Sequence, residues 1–145
     1  MSSDKDLFAQ RIAQYMNSQE GTSPAWGLNY ESGGEGWARA SMVIKKNMLN
    51  GHGFAHGGII FSLADTAFAY ACNSRNAVTV AQQASITFLS WGRLGETLVA
   101  EAREEAVAGR SGVYNVIITG DGGRKVAIFQ GLSRSIRGKI IDEDT

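Results

Sequence analysis

Between residues 57 and 72 the chain reads GGIIFSLADTAFAYAC, an apolar run that would span about 25 Å as an α-helix. Its hydrophobic residues do not keep to one stripe. Ile59, Ile60, Leu63, Ala67, Phe68 and Tyr70, with the intervening alanines, go round the whole circumference. That pattern predicts a helix buried on all sides, so the rest of the chain has to be built around it. One ionisable group lies inside the run, Asp65. Carboxylates are almost never fully buried without a partner or a task, which makes Asp65 the first candidate for chemistry.

The remaining sequence reads as ordinary globular protein. With 145 residues, 43% hydrophobic and 19% charged, one domain over 1–145 is expected, with residues 1–24 as an N-terminal helix and linker. Lys+Arg and Asp+Glu balance at 14 each without a like-charge run. Nucleic-acid or membrane-surface binding therefore has little electrostatic support. The apolar run is too short for a membrane span and carries a charge. The first sixteen residues lack the layout of a signal peptide, and the single cysteine, Cys72, allows no internal disulfide. A cytoplasmic location is expected.

Leu7, Phe8, Ile12, Tyr15 and Met16 are spaced for a short amphipathic helix, with Ser3 or Asp4 as its cap and residues 21–24 ending it. From Trp26 the period changes toward two. Leu28 and Tyr30 alternate with polar neighbours, residues 32–36 turn, and residues 37–44 return as a second strand. Four more strands are predicted beyond the apolar helix. The first is marked by Val78, Val80, Ala84, Ile86 and Phe88, with Gln82 intruding on that face. Leu98, Ala100 and Ala102 mark the next, Tyr114, Val116 and Ile118 the third, and Val126, Ile128, Gln130 and Leu132 the last. Short glycine-containing turns between them favour antiparallel pairing. The expected class is α+β, one antiparallel sheet with a single long helix to cover it. A curved sheet wraps only part of such a helix, so a homo-oligomer is expected to hide the remainder.

Chemistry concentrates at the start of the apolar run. His56-Gly57-Gly58 leads into the helix, where the first backbone N–H groups have no intrahelical acceptor and the dipole adds partial positive charge. An N–H at Gly57 or Gly58 could hold a developing oxyanion; equally, the glycines could serve only a tight approach to the sheet. Asp65 lies about 12 Å farther along the axis, too far for both to reach one carbonyl in one subunit. Side-by-side antiparallel helices in a symmetric dimer would bring one copy's Asp65 to the other's Gly57. A purely structural Asp65, satisfied by core donors, is the competing reading. Asn50 could orient a water or a carbonyl, although Asn-Gly is also an ordinary turn. His52 and His56 have a spacing that zinc sites use, with Asp65 as a third ligand, but Gly53 argues against the helix such a pair requires. Cys72 reads as core, and Ser62 lacks the setting of a nucleophile elbow.

Taken in order, these motifs resemble a known family. Asn50-Gly51-His52, His56-Gly57-Gly58 and FSLADTAFAYACNS at 61–74 strongly resemble the PaaI group of hotdog-fold acyl-CoA thioesterases, associated with phenylacetate degradation. The similarity continues through Ile86-Thr87-Phe88-Leu89, Gly95-Glu96-Thr97-Leu98 and Gly112-Val113-Tyr114. The resemblance implies a hotdog fold, a sheet wrapped around a central helix, in dimers that pair into tetramers. It implies hydrolysis of acyl-CoA, with (hydroxy)phenylacetyl-CoA or a related aryl-CoA as substrate, no metal, and no cofactor beyond the coenzyme A of the substrate. By position, Asp65 would be general base or nucleophile and Gly57 the oxyanion donor. His56 would help hold the carbonyl, and Asn50 would position water or carbonyl. Gly58 and the turn Arg110-Ser111-Gly112 would lie near the CoA, with Arg93 and Arg134 as further basic residues. Gln82 and Gln83 stand where some relatives carry a small hydroxyl residue, and Trp91-Gly92 where Pro-Gly is common. Two other functions are compatible with the fold, a silent acyl-CoA-binding protein and a hotdog enoyl-CoA hydratase. The hydratase needs a loop Asp before its His, and none lies between Asn47 and His56.

Overall fold

Helix α1 (Asp4–Gln19) begins at Ser3, whose Oγ accepts from the Asp6 N–H at 3.1 Å. A one-turn helix α2 (Thr22–Trp26) follows, closed by Gly27 in the left-handed region at φ 64°. Strands β1 (Asn29–Gly34) and β2 (Trp37–Val43) form a hairpin, and α3 (Gly57–Cys72) then carries the chain across the sheet. Strands β3 (Thr79–Phe88), β4 (Thr97–Ala108), β5 (Ser111–Thr119) and β6 (Lys125–Ser135) complete it. The computed structural model describes residues 3–143. Every strand pair is antiparallel, and the sheet order is β1-β2-β4-β5-β6-β3. This is the expected α+β hotdog arrangement.

The strands under α3 are lined with small residues. Ala38 and Ala40 of β2 and Ala100 and Ala102 of β4 are buried, with Met42, Leu98, Val116, Ile118 and Phe129 around them. Alanine leaves room for the helix backbone to approach, and Leu63, Ala64, Ala67, Phe68 and Ala71 fill the space. The tightest point is Phe68 over Gly131. A Cβ on Gly131 would lie 2.7 Å from the ring, and the ring is flanked by Tyr114 and Phe129 with centroids 5.6 and 5.8 Å away.

Several sequence readings need correction. The N-terminal helix buries Ala9, Ile12 and Ala13, while Leu7 and Tyr15 face solvent. Residues 22–26 form the helix α2 rather than a loop, and β1 runs on to Gly34, so the turn is only Glu35-Gly36. In β6 the inward residues are Ala127, Phe129, Gly131 and Ser133, and Ile128 and Gln130 point out. The cause is a bulge: Lys125 pairs with Thr119 and Ala127 with Ile118, leaving Val126 extra and reversing the alternation. Gln82 is likewise the extra residue between Ala81 and Gln83 in β3, which explains its intrusion. That strand is an edge, so Val80 and Phe88 are exposed while Ala84 and Ile86 pack against the core. Within one chain α3 is not buried all round either. Gly58 is exposed, and Ser62, Asp65, Thr66 and Ala69 are half-buried along one stripe.

Gly131→Ala is expected to destabilise the fold by about 1–3 kcal/mol, because a ring already held on two sides has to move. Chemical denaturation of the two proteins measures it, and an unchanged midpoint would show that the Phe68 contact is slack.

Candidate active site

The loop before α3 is held in place by its own side chains. Asn50 Oδ1 accepts the N–H groups of His52 and Phe54 at 2.9 and 3.2 Å, and the Phe54 carbonyl accepts from Asn50 N–H at 2.7 Å. The amide oxygen of Asn50 is therefore committed to the turn, leaving its NH₂ group for a ligand. Ala55 N–H donates to the Gly92 carbonyl at 2.8 Å, which anchors the loop to residues 90–96. That second loop is pinned by buried Glu96. Its carboxylate accepts from Arg124 at 2.8 Å and from the N–H groups of Arg93 and Asp121. The Arg124 guanidinium and these donors hold the Glu96 carboxyl down at about 2.

His56 is the cap of α3. Its Nδ1 accepts the Gly58 N–H at 2.9 Å, so in the neutral ring the proton sits on Nε2, which is left as a donor. Gly58 N–H is thus occupied. Gly57 N–H has no acceptor among the described residues, and of the two glycines it alone offers a free donor at the helix start. A Cβ at Gly57 would lie 3.1 Å from Phe88 Cζ, so glycine also lets that exposed ring lean over the site.

Asp65 sits on the open stripe of α3 in a cleft of about 410 Å³, with Glu20, Thr22, Trp26, Phe61, Ser62 and Thr66 around it. Its carboxylate makes no hydrogen bond among the described residues, and burial raises its pKa above the ordinary 3.8. A second cleft of about 330 Å³ shares Trp26 and Ser62 with the first and extends to His56 and Gly58. Ser62 and Thr66 are spent on the helix, donating to the carbonyls of Gly58 and Ser62 at 2.8 and 2.7 Å. Neither reads as a nucleophile. Asp65 and Gly57 share a helix but, eight residues apart, cannot act on one atom within a single chain.

The remaining candidates lie elsewhere. Of the expected turn Arg110-Ser111-Gly112 only Arg110, with Gly109, forms the β4–β5 turn; Ser111 and Gly112 already belong to β5, and all three line a cavity of about 200 Å³ with Cys72 and Arg75, at the C-terminal end of α3. Arg110 is exposed, whereas Gly112 is buried and a Cβ there would lie 2.9 Å from both Ser133 Oγ and the Tyr114 ring. Cys72 is core, its thiol pushed up to about 12 by burial. Among the described residues, no three His, Cys, Asp or Glu side chains come together as a metal-binding group, so His52, His56 and Asp65 do not form one. No described helix is long and apolar enough to cross a membrane. The sequence reading missed Glu20 and Trp26. They lie 39 or more positions before Asp65, and nothing in local spacing joins them to it.

Comparisons with known proteins place the chain in a family. Residues 52–127 match the Thioesterase superfamily. The acyl-coenzyme A thioesterase PaaI of Escherichia coli K12 is 42% identical over 93% of this chain and 96% of its own length. The structure of the E. coli PaaI protein, from the phenylacetic acid degradation operon, superposes with a TM-score of 0.90 at 40% identity, covering 92% of this chain and 97% of that one. A Streptococcus mutans UA159 protein, solved bound to acetyl-CoA, gives a TM-score of 0.73 at 29% identity over 77% of this chain and 90% of that one. On this similarity the chain belongs to the thioesterase superfamily, as a PaaI-type thioesterase of the hotdog fold.

Proposed function

We propose that the protein hydrolyses acyl-CoA thioesters, with phenylacetyl-CoA and related aryl-CoA esters as substrates in phenylacetate breakdown in the cytoplasm. The observation that carries the reading is the Asp65 carboxylate, half-buried, free of hydrogen-bond partners among the described residues and open to a cleft. Desolvating a carboxylate without pairing it costs stability, and a task in catalysis explains why the chain keeps it.

The site is completed by a second copy. Strand β3 is an edge with exposed Val80 and Phe88, which suits pairing with its twin. Two α3 helices would then run antiparallel, each Asp65 beside its neighbour's free Gly57 N–H. The same arrangement would bring Arg110, Ser111 and Gly112 of one copy, where β4 turns into β5, near the helix start of the other, as a place for CoA phosphate groups. The outward pair Ile117 and Ile128, cross-strand neighbours 40% and 41% exposed, supports a further pairing of dimers into a tetramer.

In this reaction Asp65 takes a proton from water as the hydroxide oxygen bonds to the thioester carbon. The carbonyl π pair moves to oxygen, and Gly57 N–H and His56 Nε2–H donate to the oxyanion. The Asn50 NH₂ holds the carbonyl or the water. Collapse breaks the C–S bond, and the departing CoA thiolate takes the proton from Asp65.

Asp65→Asn is expected to lower kcat by a hundredfold or more on thiol release from phenylacetyl-CoA, while CoA still binds; undiminished turnover would remove Asp65 from the mechanism. Because Asp65 must be ionised, kcat/KM should fall as pH drops through a pKa above 3.8. The stability effect has the opposite sense. A folded pKa above the unfolded one means that the ionised carboxylate destabilises the fold at neutral pH, and the penalty disappears below both values. Asp65→Asn should therefore match or exceed the wild type in Tm at pH 7, with the gain shrinking as pH falls through the raised folded value and vanishing only below 3.8. A large loss of Tm at pH 7 would mark Asp65 as structural.

A further inference from the structure

The cleft around Asp65 holds a second carboxylate that the mechanism does not use. Glu20, at the corner between α1 and α2, lines it with Trp26 and Phe61. One oxygen of Glu20 is already engaged: Oε2 accepts from Ser23 Oγ at 3.1 Å and from Tyr70 OH at 3.3 Å. Asn17 Nδ2 lies 3.0 Å from each of those hydroxyl oxygens and 3.2 Å from the Leu28 carbonyl, so its two N–H groups are shared among three acceptors. The other oxygen, Oε1, has no hydrogen-bond partner among the described residues. No basic residue lines the cleft to neutralise either acid.

This combination selects a ligand chemistry. Trp26 and Phe61 supply aromatic walls for a flat ring, and a volume of about 410 Å³ falls in the range that holds small molecules. Glu20 already works as an acceptor for two neutral hydroxyls, with one oxygen left over. Two carboxylates without a cation repel an acidic substituent. Burial holds the Glu20 carboxyl above its usual range, with the charge of Asp65 adding to the effect, so a further donor would relieve a group already short of solvation.

We propose that Glu20 is a specificity-determining residue that accepts a hydrogen bond from a hydroxyl on the aromatic ring of the acyl group. The proposal rests on the reading of the Asp65 cleft as the acyl site. It gives the N-terminal segment a function: the α1–α2 corner forms the substituent-reading end of the cleft, while α3 carries out the chemistry. No bond is made or broken by Glu20.

The test measures kcat/KM of the full-length protein for phenylacetyl-CoA, its 3-hydroxy and 4-hydroxy derivatives and 4-methoxyphenylacetyl-CoA. At least one hydroxylated ester should be preferred over the unsubstituted one by about ten- to a hundredfold, and the methoxy ester, which lacks a donor, should not be. Glu20→Met should erase that preference, whereas Tyr70→Phe, which removes a neighbour but not the acceptor, should retain most of it. If Glu20 only braces the corner, Glu20→Met will lower all esters alike and the ratio will survive, which overturns the proposal. Calorimetric binding of non-hydrolysable methylene-ketone analogues of the same esters provides a readout independent of turnover. A hydroxyl preference in binding that depends on Glu20, with no hydrolysis, would defeat the thioesterase mechanism and leave the contact standing. Equal affinities would defeat the contact whatever the turnover.

Discussion

The packing of α3 against a sheet surface stripped of bulk underlies the rest of the structure. Four buried alanines in β2 and β4 and a glycine in β6 let a helix lie close, and Phe68 seated on Gly131 sets its position on the β6 side. Because the sheet curves round only part of the helix, the burial is one-sided. The inward face carries Leu63, Ala64, Ala67, Phe68 and Ala71, and the outward stripe carries Gly58, Ser62, Asp65 and Thr66. The same contact that stabilises the domain therefore decides which residues are left available for chemistry.

The helix start shows how a few hydrogen bonds separate similar groups into distinct roles. Gly57 and Gly58 are adjacent and identical, yet His56 caps the second and leaves the first free. The same bond settles the tautomer of His56 and turns its Nε2–H into a donor. Asn50 spends its oxygen on the loop and keeps its NH₂, so the loop presents donors from several sources beside the helix start. Glu96, buried and paired with Arg124, supports the neighbouring loop without entering the site.

The acids of the molecule divide by environment. Glu96 is surrounded by donors and its carboxyl is held low; Asp65 has none among the described residues and is pushed up; Glu20 stands between, half satisfied by Ser23 and Tyr70. Donors and a cation favour the charged form, while burial alone disfavours it. Asp65 is the one whose environment leaves most to be supplied by a substrate or a second subunit.

Much of this was legible in the residues themselves. Local periodicity located the α3 helix and all six strands, because apolar spacing reports which face meets a core. Asp65 stood out as a charge in an apolar run, and the HGG motif marked the helix start because glycine and a capping side chain act within a few positions. The strand faces were less secure, since the bulges at Gln82 and Val126 each shift the alternation by one residue and only pairing partners reveal a bulge. What belonged to tertiary structure alone was the choice among equivalent groups and the meeting of distant ones. Sequence determined a buried helix bearing one acid and one polar N-terminus. The fold decided that the helix is open along Asp65, that Gly57 rather than Gly58 keeps its N–H, and that Glu20 and Trp26 stand across from that acid. These outcomes depend on the curvature of the sheet and on contacts between segments tens of residues apart, and local spacing carries no record of either.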